Sequence, residues 1–306
     1  MLYNQKINNS WKKNLNKILK KKYSSKVNDL QFQSVNTGKS LGLQECLFED
    51  LLPKNLVSSP ISSIENTDNV WIASSMLSRV SDTTNNLVIL EKEFPIGILN
   101  GKDILKGLLK NPTPYYFHDI LVEEIMNRRF YLDTREARLE KILEQMSKTK
   151  SEFAILQNSK HSFSSISIRE ILEVGALCKS NFEISNLYNK KIKMFRRDDT
   201  VEVIIKSLIQ DDVELLLLEN ESLYIDSMTI IEKIAGDLKF LKNCNEFLDL
   251  NASIFNLEMP KLIPNNLTFS EICQSMLSMR HPYVMTSSHL FTPRNILDIL
   301  CSGYEN

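Results

Sequence analysis

The sequence predicts an α+β fold made of four repeats of strand, helix, strand, strand and helix, preceded by a basic helical arm. Three observations support this prediction: a threonine-initiated helical pattern that recurs every 66 to 68 residues, short apolar strands after each pattern, and a lysine-rich N-terminus. With 306 residues, 42% of them hydrophobic and 25% charged, the chain has the composition of a folded protein with more than one domain.

The arm differs from the rest of the chain in charge. Residues 1–26 contain eight lysines and no acid, whereas residues 27–306 carry 29 bases against 38 acids, a net charge of −9. Trp11, Leu15, Ile18 and Leu19 form an apolar stripe at helical spacing. The surrounding lysines are Lys12, Lys13, Lys17, Lys20, Lys21 and Lys22. The arm either packs its stripe on the body or binds nucleic acid, an anionic surface or a protein partner.

The repeats are marked by Thr67, Thr134, Thr200 and Thr268, each followed by an apolar helical pattern. At each place the threonine hydroxyl, or a neighbouring Asp or Asn, is expected to cap a helix. The segments NNLVILE, SEFAILQ, VELLLLE and HPYVMTS follow as strands. One such unit is too small to cover both faces of its sheet, so repeats 1 and 2, and repeats 3 and 4, should pair.

In each repeat the last strand leads directly into the second helix, and polar residues lie at that junction. A helix N-terminus favours a phosphate or a capping carboxylate, so each junction is either a simple cap or a ligand site. Repeat 3 offers Ser227 with Ile230 at the expected acid position and should hold no ligand. The candidate residues in the other repeats are Gly97, Asn100, Lys102 and Asp103; Ser167, Arg169 and Glu170; and Thr292, Arg294 and Asn295.

These junctions resemble those of CBS domains, whose pattern reads Gly, two apolar residues, Thr or Ser, two variable residues and Asp. The resemblance covers nearly all of the chain after the arm, and the four repeats are similar in organisation to the gamma subunit of AMP-activated protein kinase. It implies two Bateman modules, each a pair of repeats. The expected domains are an arm and linker at 1–45, module 1 at 46–178 and module 2 at 179–306.

The resemblance also implies a function. CBS modules bind adenosyl ligands such as AMP, ADP, ATP or S-adenosylmethionine between paired repeats, and Asp103 looks like a ribose ligand. The expected function is therefore that of a regulatory ligand sensor. The alternative is a non-catalytic adapter with degenerate repeats, whose lysine-rich arm binds nucleic acid or a protein. Two modules could form a complete disc within one chain or assemble with a second copy as a homodimer.

Other functional classes find no support in the sequence. No apolar run is long enough to span a membrane and no secretory leader pattern is present, so a cytoplasmic protein is expected. Five widely spaced cysteines without a CxxC pair argue against a zinc site or a disulfide framework. The chain shows no nucleophile elbow or metal-ligand spacing, so we predict no catalytic residues, no metal and no catalytic cofactor.

Overall fold

The computed structural model describes most of the chain after residue 60. The described residues are 31–32, 61–80, 85–149, 151, 153–177, 179–180, 192–287 and 289–302. The basic arm, with the six lysines predicted to bind a partner, lies outside them. Residues 178 and 181–191, around the predicted boundary between the modules, also lie outside, so the domain boundaries stay a prediction.

In the part of the chain that the structure describes, four three-stranded sheets, one per repeat, confirm the four predicted repeats. In each sheet the middle strand pairs in parallel with the first strand and antiparallel with the last. A parallel pair needs a crossover connection, which the first helix of each repeat supplies. The strands of repeats 1 and 2 are β2 Ser63–Glu65, β3 Asn86–Glu91, β4 Phe94–Asn100, β5 Tyr131–Thr134, β6 Phe153–Ser159 and β7 Ser162–Ser167. Those of repeats 3 and 4 are β9 Met194–Phe195, β10 Leu215–Leu218, β11 Tyr224–Asp226, β12 Lys261–Leu262, β13 Val284–Met285 and β14 Leu290–Phe291.

A separate two-stranded sheet lies outside the repeats. Its strands β1 (Gln31–Phe32) and β8 (Lys179–Ser180) pair in parallel. The pairing ties a segment near the N-terminus to the chain that follows the second helix of repeat 2.

Each repeat has two long helices, and short helices connect repeat 1 to repeat 2 and repeat 3 to repeat 4. In repeat 1 and its connection they are α1 Val70–Val80, α2 Gly101–Lys110, α3 Pro114–His118 and α4 Val122–Ile125. In repeat 2 they are α5 Leu139–Lys148 and α6 Ile168–Leu177. In repeat 3 and its connection they are α7 Val201–Gln210, α8 Ser227–Gly236, α9 Leu238–Lys242 and α10 Cys244–Asp249. In repeat 4 they are α11 Phe269–Leu277 and α12 Pro293–Ser302.

The predicted caps form at three of the four first helices. The capping side chains are Asn69, Thr200 and Thr268, which accept hydrogen bonds from the backbone N–H groups of Ile72, Val203 and Glu271. The prediction for Thr134 is wrong. Thr134 ends strand β5, where it pairs with Gln157, so α5 begins only at Leu139, behind an intervening turn.

Among the described residues, four hydrophobic cores hold the repeats together. The helices of repeat 1 share one core with those of repeat 3, and the helices of repeat 2 share another with those of repeat 4. Two smaller cores lie between sheets. Val88 and Ile98 of repeat 1 pack against Phe153 and Ile155 of repeat 2. A matching core joins the sheets of repeats 3 and 4. Each repeat therefore contacts two others, one through its helices and one through its sheet.

Two glycines lie where helices or rings approach closely. A Cβ at Gly175 on α6 would lie 2.6 Å from the Sγ of Cys273 on α11, within the core that joins repeats 2 and 4. A Cβ at Gly107 on α2 would lie 2.2 Å from the hydroxyl oxygen of Tyr116. That ring is buried, and its hydroxyl donates to the carbonyl of Ile104 at 2.7 Å. Both positions need a residue without a side chain.

Candidate functional site

Each last strand passes into the second helix without an intervening loop. Asn100, Ser167, Asp226 and Thr292 are the residues that directly precede helices α2, α6, α8 and α12. The first N–H groups of a helix have no partner within the helix and carry a partial positive charge. Each junction can therefore hold a polar or anionic group, either from the chain itself or from a ligand.

At the repeat 1 junction, Asn100 and Asp103 cap α2 reciprocally. Asn100 Oδ1 accepts a hydrogen bond from Asp103 N at 3.0 Å, and Asn100 N donates to Asp103 Oδ2 at 3.3 Å. The second oxygen, Asp103 Oδ1, lies 3.8 Å from Lys106 Nζ, which is too long for a hydrogen bond. Asp103 thus keeps one carboxylate oxygen for a further donor.

The surroundings of Asp103 disfavour its charged form. Its side chain is only 13% exposed, and this burial raises the pKa of the carboxyl above its ordinary value. The charge of Lys106, the backbone hydrogen bond from Asn100 and the charge of Lys102 oppose the increase. An additional hydrogen-bond donor from a ligand would stabilise the ionised carboxylate further.

The repeat 1 junction lies directly against repeat 3. Lys102 Nζ is 3.5 Å from Asp212 Oδ1, just beyond the end of α7. A Cβ at Gly101 would lie 3.1 Å from Ser227 Oγ, so the N-termini of α2 and α8 nearly touch. A group bound at the start of α2 would therefore be close to the first turn of α8.

Gly97, a predicted site residue, has a packing role in the structure. A Cβ there would lie 2.5 Å from Met126 Sδ and 3.2 Å from the carbonyl oxygen of Asn127. The next residue, Ile98, exchanges two backbone hydrogen bonds with Asn127. Gly97 thus allows the connection to repeat 2 to lie against β4.

At the repeat 2 junction, the Glu170 side chain hydrogen-bonds back to Ser167, the residue that precedes α6. Its Oε2 accepts from both the backbone N, at 2.7 Å, and the hydroxyl of Ser167. Arg169 donates through Nη2 to the carbonyl of Leu277 in repeat 4, at 3.3 Å. Burial, and after it the charge of Glu170, raise the pKa of Glu173 to about 7, and the charge of Arg169 opposes this increase. The junction therefore already contains two neighbouring carboxyl groups.

At the repeat 4 junction, Thr292 and Asn295 form the cap. Asn295 Oδ1 accepts from the backbone N of Thr292 at 2.9 Å and from its hydroxyl at 3.1 Å. The backbone N of Arg294 donates to Glu214 Oε1 of repeat 3 at 3.3 Å, and the Arg294 side chain lies 3.8 Å from Asp298. A carboxylate of the chain thus occupies the first turn of α12, where a ligand phosphate would also bind.

The repeat 3 junction differs from the expectation drawn from Ser227 and Ile230. Helix α8 begins at Ser227, so the capping residue is Asp226 and the third helical residue is Thr229. Asp226 Oδ1 accepts from the backbone N and the hydroxyl of Thr229, both at 2.8 Å. The pattern therefore starts at Asp226, one residue earlier than predicted. The acid is at the capping position and the hydroxyl at the third helical position, the reverse of the predicted order.

The structure brings the predicted residues together within each junction, mainly as helix caps. Sequence reasoning missed the residues that reach a junction from another repeat, such as Asp212 and Glu214. It also missed Asp226 and its partners His281 and Tyr283. Asp226 could have been found, because an Asp three residues before a Thr at a helix start is a local capping signal. The partners depend on how the repeats pack.

The described part of the chain contains neither a metal-binding cluster nor a membrane-spanning helix. There, no group of three or more His, Cys, Asp or Glu side chains is arranged to hold a metal ion. No helix in that part is both long and apolar enough to cross a membrane.

Several solved structures are similar to this chain. Protein MJ1225 from Methanocaldococcus jannaschii, described as a putative archaeal homologue of g-AMPK, matches with a TM-score of 0.70 and 13% identity. The match covers 82% of this chain and 98% of that protein. An uncharacterized conserved protein from Pyrococcus horikoshii matches with a TM-score of 0.49 and 14% identity, over 81% of this chain and 100% of that one.

Shorter CBS-domain structures also match. One is the CBS domain protein PAE2072 from Pyrobaculum aerophilum, complexed with AMP, at 15% identity and a TM-score of 0.34, over 41% of this chain and 90% of that one. No protein-family model matches the chain, and no curated protein matches it significantly.

Proposed function

We propose that this chain, which folds as four CBS-like repeats, is a regulatory protein that binds an adenosyl ligand at the repeat 1 junction. The ligand would be AMP, ADP, ATP or S-adenosylmethionine, bound between the paired repeats 1 and 2. The observation that carries the proposal is Asp103, a largely buried carboxylate in the first turn of α2 with one oxygen that its cap does not use.

Each group at this junction has a role that matches part of such a ligand. Asp103 Oδ1 would accept a hydrogen bond from a ribose hydroxyl, and the N–H groups of the first turn of α2 would face the phosphate or the polar group beyond the ribose. Lys102 and Lys106 would offset the negative charge.

The junctions at Glu170 and at Asn295 are weaker candidates, because cap hydrogen bonds and the carboxylates of Glu173 and Glu214 already occupy their surroundings.

The position of the junction supports a regulatory role. A ligand at the start of α2 lies beside Ser227 of α8, and a phosphate on it would compete with Asp212 for Lys102. Binding would then favour one relative position of repeats 1 and 3 over another. Such a preference is required for signalling, because a ligand with equal affinity for both arrangements shifts neither.

The main test is the substitution Asp103→Asn, assayed by isothermal titration of AMP, ADP, ATP and S-adenosylmethionine. Asparagine still accepts from the backbone N of Asn100, so the cap is kept while the charge is lost. A hydrogen bond to a charged group contributes about 1.5–3 kcal/mol, so the affinity should fall about 10- to 150-fold.

The matched control is Glu271→Gln in repeat 4. Glu271 forms the same type of reciprocal cap with Thr268 at the start of α11, a first helix rather than a junction helix. It should leave the affinity unchanged. Wild-type protein that binds none of the four ligands, or Asp103→Asn that binds as tightly as wild type, would contradict the proposal. In the first case the adapter role of the lysine arm becomes the function to test, by salt-sensitive binding to nucleic acid.

Ligand affinity should also depend on pH. The pKa of Asp103 is raised by burial, so its carboxylate is protonated at a higher pH than an ordinary aspartate, whose pKa is about 3.9. Because the ribose hydroxyls donate to the ionised form, the affinity should fall on acidification from neutral pH towards about pH 4. Titrations across this range check it. If the affinity of Asp103→Asn falls as steeply on acidification as that of wild type, a group other than Asp103 causes the pH dependence.

A further inference from the structure

A buried polar cluster lies at the junction of repeat 3, where repeats 3 and 4 meet. It contains Asp226 (2% exposed), His281 (7%), Tyr283 (6%) and Tyr224 (3%). Asp226 and Tyr224 belong to repeat 3, whereas His281 and Tyr283 belong to the segment that enters β13 of repeat 4. Buried charge is costly unless it is paired, so this cluster must be held together by its internal contacts.

The contacts engage both oxygens of Asp226. Oδ1 accepts the two hydrogen bonds from Thr229, and Oδ2 accepts from the Tyr283 hydroxyl at 3.1 Å. The Nδ1 of His281 lies 3.4 Å from the same Oδ2. In repeat 3, Asp226 thus holds the position that Asn100 holds in repeat 1. One of its carboxylate oxygens is bound within repeat 3, and the other contacts repeat 4.

Two further carboxylates, those of Glu258 and Glu232, act on His281. Glu258, from the segment before β12, accepts from the Tyr224 hydroxyl at 3.2 Å. Glu232 of α8 pairs with Arg280, the neighbour of His281, at 2.7 Å. The cluster therefore contains three carboxylates, of Asp226, Glu232 and Glu258, but only the Arg280 guanidinium as a fixed positive charge. This excess of negative charge favours a proton on the His281 imidazole.

We propose that Asp226 and His281 form a proton-sensitive clasp that joins repeat 3 to repeat 4 in place of a ligand. The clasp closes when the imidazole is protonated, since a charged pair then spans the two repeats. It weakens when the imidazole is neutral, which leaves the buried Asp226 carboxylate with hydrogen bonds alone.

The direction of the pH dependence follows from the two groups. Burial lowers the pKa of His281, but the hydrogen bond and charge of Asp226, with Glu258 and Glu232, raise it above the ordinary value. Burial raises the pKa of Asp226, but His281 and the bonds from Thr229 lower it overall. The histidine contribution to stability is therefore complete below about pH 6.5 and is lost as the pH rises through its raised pKa. Asp226 stays ionised throughout that range.

The test compares the folding equilibrium of wild type and Asp226→Asn between pH 6 and pH 9, by urea denaturation of the whole chain. Asparagine is as good a cap as aspartate, so Thr229 keeps its acceptor. The charge is removed, together with the oxygen that faces Tyr283 and His281. The ratio of the folding equilibrium constants, wild type to variant, should fall as the pH rises. Each pKa unit by which Asp226 raises the pKa of His281 contributes about tenfold. A ratio that stays constant overturns the proposal.

A second measurement does not depend on reversible unfolding. Proton titration of the histidine rings by NMR should show one histidine with a pKa above about 6.5, and Asp226→Asn should lower that pKa. His281→Gln identifies the resonance by its disappearance and separates it from His118, His161 and His289. A His281 resonance that titrates at the same pH in wild type and Asp226→Asn overturns the proposal.

Discussion

Gly175→Val should lower the free energy of unfolding by about 3 kcal/mol, the upper part of the range for adding side-chain atoms to a packed core. The first added atom alone would lie 2.6 Å from Cys273 Sγ and 3.3 Å from Phe269 Cε1. Cys273 is fully buried and Phe269 nearly so, so neither can move away without opening the core between repeats 2 and 4. Chemical denaturation measures the loss.

The same substitution at Gly236 is the control for backbone effects. Gly236 ends α8, and a Cβ there would meet nothing within 4 Å. Gly236→Val should change the stability by less than about 0.5 kcal/mol, because only the helix propensity differs. Cys273→Ala should restore part of the stability lost in Gly175→Val. Equal stabilities of the two valine variants would show that α6 and α11 can separate at little cost.

Gly107→Val should be destabilising by a similar amount, about 3 kcal/mol, for a different local reason. The obstacle is the ring of Tyr116, with its hydroxyl oxygen 2.2 Å and two ring carbons 2.5 Å from the added Cβ. That ring packs edge-to-face on Phe117 at 5.0 Å and donates to the carbonyl of Ile104. Moving it breaks a buried hydrogen bond from α3 to α2, the helix that begins at the proposed ligand site.

The cause can be isolated with Tyr116→Leu. Alone, this substitution leaves a cavity and removes the hydrogen bond, so it should destabilise the protein. The double variant should lose less stability than the sum of the losses in the two single variants, because leucine at position 116 leaves room for the valine. Denaturation of the four proteins in this cycle provides the measurement. Strict additivity would mean that the clash is not with Tyr116.

Local patterns were sufficient for much of the fold. Continuous apolar runs such as the LLLL of β10 predict central strands, and β10 is buried along its whole length. The cap of α2 could be predicted because Asn100 and Asp103 are three residues apart, a distance that any helix start imposes. Thr134 failed as a cap because the strand ladder with Gln157 takes precedence over local helix signals.

Contacts between repeats could not be predicted in the same way. The pairing of Asp226 with His281 joins residues 55 positions apart, and no local rule relates them. Lys102 and Asp212 meet only because the helices of repeat 1 pack against those of repeat 3. The junction residues of repeats 1, 2 and 4 could be predicted from the sequence, whereas the cap at Asp226 in repeat 3 was missed. The groups that fill or flank each junction depend on the packing of the repeats.

The four cores have a consequence for how the chain is made. Each repeat contacts one neighbour through its sheet and another through its helices, so the contacts run from repeat 1 to 2, 4, 3 and back to 1. During synthesis, repeats 1 and 2 can join their sheets early, but their apolar helix faces stay uncovered until repeats 3 and 4 have left the ribosome. Such contacts between distant segments slow folding, and the exposed faces make the nascent half-chain prone to aggregate or to bind chaperones.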